Sequence, residues 1–419
     1  MRECDCCSEK QSQPLALDEV LNRMLNAISP AAGIEQIPLK QALGRILAET
    51  VYASTDLPPF SSSAMDGYAL RADEIQETPV LRVVGTAWAG QPHSAPISAG
   101  ECVRIFTGAA LPEGADAVIM QEHAHRDGDR IRVTEKTKPG ECIRSRGEEI
   151  KSGDRLLDEG QRLGPAELGL LASIGSPSVS VRRKPRVAFF STGDELRPIT
   201  EPLAFGEIHD SNRYVLDALL AGLGVETIDM GVTGDNKEEI QRVLLEASNQ
   251  ADAVITSGGA SVGDADFITE VVKEIGHIDF WKVAIKPGKP FVFGRINSSF
   301  FFGLPGNPVS MMVTFQQLAR PALLRLMGAS IVEPLRLRAV CTNRLHKQPG
   351  RLEFQRGIYR RDPNGIFTVT GLGGQSASQM TSMSSANCFI VLPVENAGIE
   401  AGQTVDVEPF HGFHQAIGS

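Results

Sequence analysis

The sequence predicts a multidomain protein of mixed α/β and β parts, built around one doubly wound α/β domain over residues 185–330. Three observations point there. Between 185 and 330, short apolar runs alternate with helical runs of about ten residues, the pattern of a parallel sheet with crossover helices. From 54 to 140 the texture is instead short β-like runs broken by Gly and Pro, and from 331 to the end β runs return. The 419 residues also leave room for two to four domains at ~150 residues each.

In chain order, Leu17, Val20, Leu21, Met24, Leu25 and Ile28 recur at helical spacing, and Pro30 closes the run. A second helix is expected over Leu39–Leu47, ahead of an extended run Glu49–Ala53. Val80–Val84, Cys102–Phe106, Ala117–Met120 and Arg130–Val133 read as strands of a β-rich domain inserted into a longer element, with Asp127-Gly128 as a hairpin-type turn. The chain returns through 141–184, where Pro165 suits the first turn of a helix reaching Ile174. The central domain is expected as strand Val187–Ser191, helix Asp210–Leu223, strand Val225–Met230, helix Lys237–Ala247, strand Ala253–Thr256 and helix Asp266–Ile275. Strand Phe300–Phe302 and helix Val309–Leu326 complete it. In the last region, Leu335–Val340, Phe354–Arg360, Phe367–Thr370, Cys388–Leu392 and Val405–Pro409 are the strand candidates. Asn364-Gly365 is the strongest hairpin signal in the chain. The Gly/Ser-rich stretch 371–387 reads as a loop. The boundaries that follow are 14–53 with 141–184, 54–140, 185–330 and 331–419.

Composition narrows the function. The 41 Lys+Arg against 51 Asp+Glu give a formal net charge of −10, which argues against a nucleic-acid binder, since phosphate recognition needs a basic surplus. The longest uncharged stretch, 296–319, contains Pro305, Gly306, Asn307, Pro308, Gln316 and Gln317, so no membrane span is expected. No apolar signal region follows Met1, which makes the cytoplasm the expected compartment. Seven cysteines without a secretory signal read as reduced thiols; Cys4, Cys6 and Cys7 lack a second Cys/His pair at zinc-finger spacing and read as a functionally silent terminus.

Four segments carry candidate chemistry, each at an expected strand end of the α/β domain, where open parallel sheets bind ligands. Ser191-Thr192-Gly193-Asp194-Glu195-Leu196 presents carboxylates after a glycine turn, suited to a cation or a substrate hydroxyl, or simply to capping. Residues 256–266 place Ser257, Gly258, Gly259, Ser261, Gly263, Asp264 and Asp266 before a helix, so main-chain N–H groups can approach an anion. That segment is neither a Walker A loop nor a clean G-x-G-x-x-G. Lys282, Lys286 and Lys289 surround a Pro-Gly turn and can neutralise phosphate, although a charge run is more often a solvated face. Gly303-Leu304-Pro305-Gly306-Asn307-Pro308 is a rigid turn ahead of a helix N-terminus. A fifth segment, Ser63-Ala64-Met65-Asp66-Gly67-Tyr68-Ala69, reads by chemistry alone as a turn.

Taken together with 104–109 (Arg104, Thr107, Gly108, Ala109), these segments resemble one family, the molybdopterin molybdenumtransferases or MoeA-type proteins, related to the E domain of gephyrin. The resemblance runs in order from about residue 14 to 410. It implies a split helical rod, an inserted β domain, a molybdopterin-binding MogA-like α/β domain and a C-terminal β-barrel. It implies a homodimer whose active cleft lies between the α/β domain of one subunit and the inserted domain of the other. The implied reaction takes adenylylated molybdopterin and molybdate, inserts molybdenum at the dithiolene and hydrolyses the adenylate to AMP, with Mg²⁺ required. The implied partners are the molybdopterin adenylyltransferase that supplies the substrate and the apo-molybdoenzymes that receive the product.

Carried over by position, the resemblance makes Asp66 and Thr107 contributions from the partner subunit. Glu195, Asp235 and Asp266 become the acidic cluster for Mg²⁺ and the pyrophosphate-bond chemistry, in keeping with the preference of Mg²⁺ for a few carboxylates plus phosphate oxygens. Lys282, Lys286 and Lys289 offset phosphate and molybdate charge, and Arg356 reaches in from the C-terminal domain. Ser61-Ser62 and Ala377 depart from the commonest family pattern. Two other classes share parts of this pattern: a CinA-like nucleotide pyrophosphatase, which the inserted domain and barrel argue against, and a scaffold of the gephyrin kind, which the sequence makes secondary because no long linker or extra adenylyltransferase domain is expected in it.

Overall fold

The computed structural model describes residues 14–76, 80–259, 267–331 and 333–410. The chain divides into two compact units. One takes Gln36–Leu43 and Leu47–Ser180; the other takes the chain up to Glu35, Gly44–Ile46 and everything from Val181. Helix α1 (Leu17–Ala27) belongs to the second, larger unit.

The smaller unit is organised by strands β1 (Gly67–Leu70), β2 (Val80–Ala87), β3 (Glu101–Ile105), β4 (Ala117–Met120), β5 (Ala124–Asp127) and β6 (Arg130–Val133). They form a single sheet in the order β4-β1-β3-β2-β6-β5. Successive side chains alternate faces, as a pleat requires. Tyr68, Leu70, Cys102 and Ile119 enter one core, while Ala69, Val103, Ile105 and Val118 enter another on the opposite face. The expected turn at Asp127-Gly128 closes the β5–β6 hairpin, with Asp127 opposite Arg130. The chain enters and leaves through paired legs: Val51–Tyr52 lies against Arg155–Leu157, and Ser62–Ser63 against Ile143–Arg144. Helix α2 (Pro165–Ser173) starts on its proline, and the Glu167 carboxylate accepts the Gly164 amide at 2.9 Å. The helix expected over Leu39–Leu47 is only one 3₁₀ turn, Leu39–Gln41. Gly44 takes φ +76°, and the Leu47 and Ala48 amides donate to Gln161 and Ser180, so long-range pairing wins over local helical tendency.

The larger unit holds the α/β sheet: β7 (Arg186–Thr192), α3 (Ser211–Leu223), β8 (Glu226–Thr233), α4 (Lys237–Gln250), β9 (Ala253–Ser257), α5 (Phe267–Ile275), β10 (Gly276–Lys282), β11 (Pro290–Ile296) and β12 (Ser299–Leu304). Strand order is β8-β7-β9-β12-β11-β10. The first four strands are parallel, as expected, but at the far edge β11 runs antiparallel to β12, and β10 antiparallel to β11. The cause is local. Ile296 pairs with Ser299 across a two-residue turn in which Asn297 takes φ +52°, and so short a link permits only an antiparallel partner. Along β7, Val187 and Phe189 pack against Leu216, Leu220 and Leu223 of α3, whereas Ala188 and Phe190 pack against Ile240, Val243 and Leu244 of α4. Both faces are therefore covered, which is why these strands read as unbroken apolar runs. Helix α1 packs Val20 and Met24 into the core that holds Leu323 and Leu326.

The expected helix after β12 is realised as α6 (Pro308–Thr314), a π-helical turn (Phe315–Ala319) and α7 (Arg320–Leu326). Pro321, which has no N–H to return to Gln317, follows the wide turn. The chain ends in a closed five-stranded barrel of β13 (Leu337–Cys341), β14 (Leu352–Arg361), β15 (Phe367–Gly371), β16 (Cys388–Leu392) and β17 (Thr404–Pro409), sealed by the β14–β16 pairing. The stretch expected as loop over 371–387 carries a short helix, α8 (Met380–Ser385). No helix among the described residues is long and apolar enough to cross a membrane.

Candidate functional site

The carboxyl ends of β7, β8, β9 and β12 open into a cleft of about 580 Å³. Its walls are Ser191, Thr192, Gly193 and Glu195 after β7, Asp235 after β8, Ser257, Gly258 and Gly259 after β9, and Pro305, Gly306, Asn307 and Pro308 after β12. Asp210 and Asn212 at the start of α3, together with Ser378, complete it. The first, second and fourth sequence segments thus converge on one space, where a parallel sheet is expected to bind a ligand. Ser261, Gly263 and Asp266 lie outside the described residues, as do Cys4, Cys6 and Cys7.

The glycines are there for backbone approach. Gly258 takes φ +99°, and a Cβ on it would sit 2.5 Å from the Thr192 carbonyl oxygen. Gly306 comes so near that its own Cβ would touch the Gly258 Cα at 3.5 Å. Asn212 holds these loops together: its Nδ2 donates to Ser257 Oγ and to the Gly306 carbonyl, both at 2.7 Å. Four buried polar atoms of the lining, Ser191 Oγ, Thr192 Oγ1, Asp210 Oδ2 and Asn212 Oδ1, have no hydrogen-bond partner. Each such group costs about 1–3 kcal/mol when left unpaired, so the cleft is built to receive polar atoms from a ligand or solvent. Sequence reasoning gave Asp210 only as the start of a helix and missed Asn212. The available signal was an Asp-Ser-Asn run opening a helix within the α/β region, where a helix start favours anions.

The carboxylates are grouped. The Asp235 amide donates to Asp194 Oδ1 at 2.9 Å. The Asp235 carboxyl is pushed above the ordinary carboxylate range, first by partial desolvation, with the Asp194 and Glu195 carboxylates adding repulsion. Among the described residues, no three His, Cys, Asp or Glu side chains gather at metal-binding distance.

A second hollow of about 380 Å³ adjoins the cleft, with Pro290 bordering both. Lys286, Lys289, Ser310, Arg351, Ser376 and Ala377 line it. Lys286 Nζ lies 3.2 Å from the buried Glu353 carboxylate, and Gly288 at φ +106° brings the lysine turn against Thr314. The Val309 amide donates to the Ala377 carbonyl at 3.0 Å, joining the start of α6 to the barrel's long connection. Lys282 borders neither space.

Arg356 does not face either space. It is fully buried, and its guanidinium donates to Ser382 Oγ at 2.9 Å and to the Gly374 and Ser376 carbonyls at 2.7 and 3.0 Å. It therefore shapes the connection that supplies Ser376 and Ala377 to the hollow. Arg351, unmarked by any sequence motif, is the arginine that lines the hollow.

In the smaller unit, Asp66 and Thr107 are brought together across strands β1 and β3. Thr107 donates both its amide and its hydroxyl to Asp66 Oδ1, each at 2.8 Å. These two bonds, and then the Arg104 charge, hold the Asp66 carboxyl below its ordinary range. Gly67 follows because a Cβ there would collide with the Ile119 carbonyl at 1.9 Å.

Three family descriptions match the chain: "MoeA N-terminal region (domain I and II)" over residues 15–175, "Probable molybdopterin binding domain" over 188–325, and "MoeA C-terminal region (domain IV)" over 338–410. The molybdopterin molybdenumtransferase of Haemophilus influenzae is 43% identical over 399 residues, spanning 95% of this chain and 99% of that protein. That of a Nostoc species is 36% identical over 382 residues, spanning 88% of this chain and 87% of its own. Among solved structures, a molybdopterin biosynthesis MoeA protein from Pyrococcus horikoshii OT3 superposes with a TM-score of 0.83 at 30% identity, covering 95% of this chain and all of that one.

Proposed function

This chain belongs to the MoeA family of molybdopterin molybdenumtransferases, enzymes of molybdenum cofactor biosynthesis, and from that premise we propose that it inserts molybdenum from molybdate into adenylylated molybdopterin with Mg²⁺-dependent release of AMP. The observation that carries this reading is the pairing of two spaces with opposite chemistry. The cleft is walled by carboxylates, glycine loops and unpartnered polar atoms, and the adjoining hollow by Lys286, Lys289 and Arg351.

In this reading the cleft holds the phosphate-bearing end of the substrate. Main-chain N–H groups around Gly258, Gly259 and Gly306 take its oxygens, and the unpartnered Ser191, Thr192 and Asn212 atoms take its polar groups. Ser261, Gly263 and Asp266 extend the same loop. Glu195, Asp235 and Asp266 would hold Mg²⁺; the fit rests on hard oxygen donors, with the Asp235 carboxyl raised first by desolvation and then by the neighbouring Asp194 and Glu195 charges that a cation would offset. When bound, Mg²⁺ supplies charge neutralisation at the pyrophosphate bond. Lys286, Lys289 and Arg351 balance the molybdate dianion in the hollow, and Lys282 adds to the local positive field. Arg356 acts by positioning, since its hydrogen bonds set the 374–376 segment.

The enzyme works as a homodimer, with Asp66 and Thr107 serving the cleft of the partner copy. Its substrate comes from the molybdopterin adenylyltransferase, and its product goes to apo-molybdoenzymes. Reconstitution tests the function: the chain incubated with adenylylated molybdopterin, molybdate and Mg²⁺ is expected to activate an apo-molybdoenzyme in the same tube. Equal activation without the chain would refute the reading.

A further inference from the structure

Beside Asp66 and Thr107, the smaller unit carries three stacked groups, of which the last, Trp88, is half exposed. Arg104 lies at one end, with its guanidinium carbon 4.5 Å from the centre of the Phe106 ring. The guanidinium is held by the Gly67 carbonyl at 2.8 Å and by Gln121 Oε1 at 2.6 Å, so it cannot swing away without losing both bonds. Phe106 in turn stacks on Trp88, with ring centres 3.8 Å apart and planes within 7°. The Trp88 backbone exchanges two hydrogen bonds with Gln91, at 3.0 and 2.9 Å, and the Phe106 amide donates to the Ala87 carbonyl. Backbone and neighbours thus fix the indole in place, yet Trp88 remains 49% exposed.

A large aromatic held rigid and left half in solvent has surface to cover at little further entropic cost. Its chemistry selects the partner. An indole face already backed by a ring and a cation suits another flat, electron-poor ring, as bases stack on aromatic side chains generally. The place selects it too, because Phe106 is the chain neighbour of Thr107, and the Asp66 carboxylate sits within the field of Arg104.

We propose that Trp88 is the stacking platform for a planar heteroaromatic ring of the substrate, with Phe106 and Arg104 as its backing. This rests on the proposed reading in which the Asp66–Thr107 face serves substrate binding. Adenylylated molybdopterin offers two rings of the right class, the adenine and the pterin, and the test separates them.

The full-length chain, Trp88→Ala and Trp88→Phe are titrated calorimetrically with AMP and, separately, with a simple pterin. KM and kcat for adenylylated molybdopterin and the sedimentation coefficient are measured alongside. Trp88→Ala is expected to weaken one probe about 10-fold and raise KM by a similar factor, with kcat held within about two-fold. Trp88→Phe is expected to restore most of the loss. Loss of AMP affinity assigns the ring as adenine, and loss of pterin affinity as the pterin. Unchanged binding and KM in Trp88→Ala overturns the inference while leaving the enzyme's function standing. So does a change confined to sedimentation, which would give the open face to a second copy of the chain. A wild-type chain that binds neither probe and turns nothing over overturns both readings.

Discussion

Asp66 and Thr107 stand 41 residues apart in sequence, yet a single carboxylate oxygen of Asp66 accepts both the amide and the hydroxyl of Thr107, each at 2.8 Å. The second oxygen keeps its orientation without being consumed by these bonds. Thr107 thereby holds Asp66 ionised and aimed.

Thr107→Val removes the hydroxyl donor and spares the amide. The Asp66 pKa then rises toward its ordinary value, so the carboxylate is lost at a higher pH than in the wild type. The acid limb of the pH profile of kcat/KM is expected to move upward. Asp66→Asn is expected to abolish turnover with the thermal midpoint unchanged; an unmoved limb and retained turnover would remove Asp66 from the site.

Asp235 shifts the other way, so its pH linkage has the opposite sign. Its folded pKa is above the unfolded value, which means stability falls as pH rises from the unfolded pKa through the folded one. Asp235→Asn removes that penalty. It is expected to melt above the wild type at neutral pH and to match it in acid. Mg²⁺ should raise the midpoint of the wild type but not of the variant, because one of the proposed ligands is gone. An equal Mg²⁺ shift in both would exclude Asp235 as a ligand.

Gly258→Ala combines a left-handed backbone at φ +99° with a Cβ 2.5 Å from the Thr192 carbonyl oxygen. The two effects together are expected to cost about 2 kcal/mol or more, seen as a lowered thermal midpoint. Displacing the loop also disturbs Ser257 and Gly306, which share Asn212, so substrate affinity is expected to fall as well. A wild-type midpoint would show that the loop shifts freely.

Arg356 and Arg351 separate structure from binding. Arg356→Met leaves two loop carbonyls and a serine hydroxyl without their donor and is expected to cost about 3 kcal/mol. Arg356→Lys should recover only part, since an ammonium cannot reproduce the planar fork. Arg351→Met is expected to leave the melting midpoint in place and to raise the KM for molybdate. The reverse pattern would exchange their roles.

Much of this arrangement was legible in the residues. The apolar runs at 187–191 and 253–256, the helix start at Asp210 and the Asp127-Gly128 turn are local signals, and local physics obeys them. The loops carrying Glu195, Gly258 and Gly306 could be placed together because parallel strands send their carboxyl ends to one side. What could not be read depended on distant partners. Leu39–Leu47 has the composition of a helix but gives the Leu39 and Leu47 amides to Pro177 and Gln161, more than a hundred positions away. Strands β10 and β11 were missed, and with them the antiparallel edge that follows from one tight turn at Asn297. Arg351 and Arg356 flank the alternating segment Leu352-Glu353-Phe354-Gln355, and only the barrel's closure decides which is sealed inside.

In the proposed reaction, hydrolysis of the adenylate is coupled to delivery of molybdenum. This coupling is tested most directly by measuring AMP released from adenylylated molybdopterin by the full-length chain with Mg²⁺, in the presence and absence of molybdate. AMP release is expected to depend on molybdate and to track the amount of active cofactor formed. AMP release indifferent to molybdate, with no active cofactor, would contradict it and make the cleft a simple pyrophosphatase.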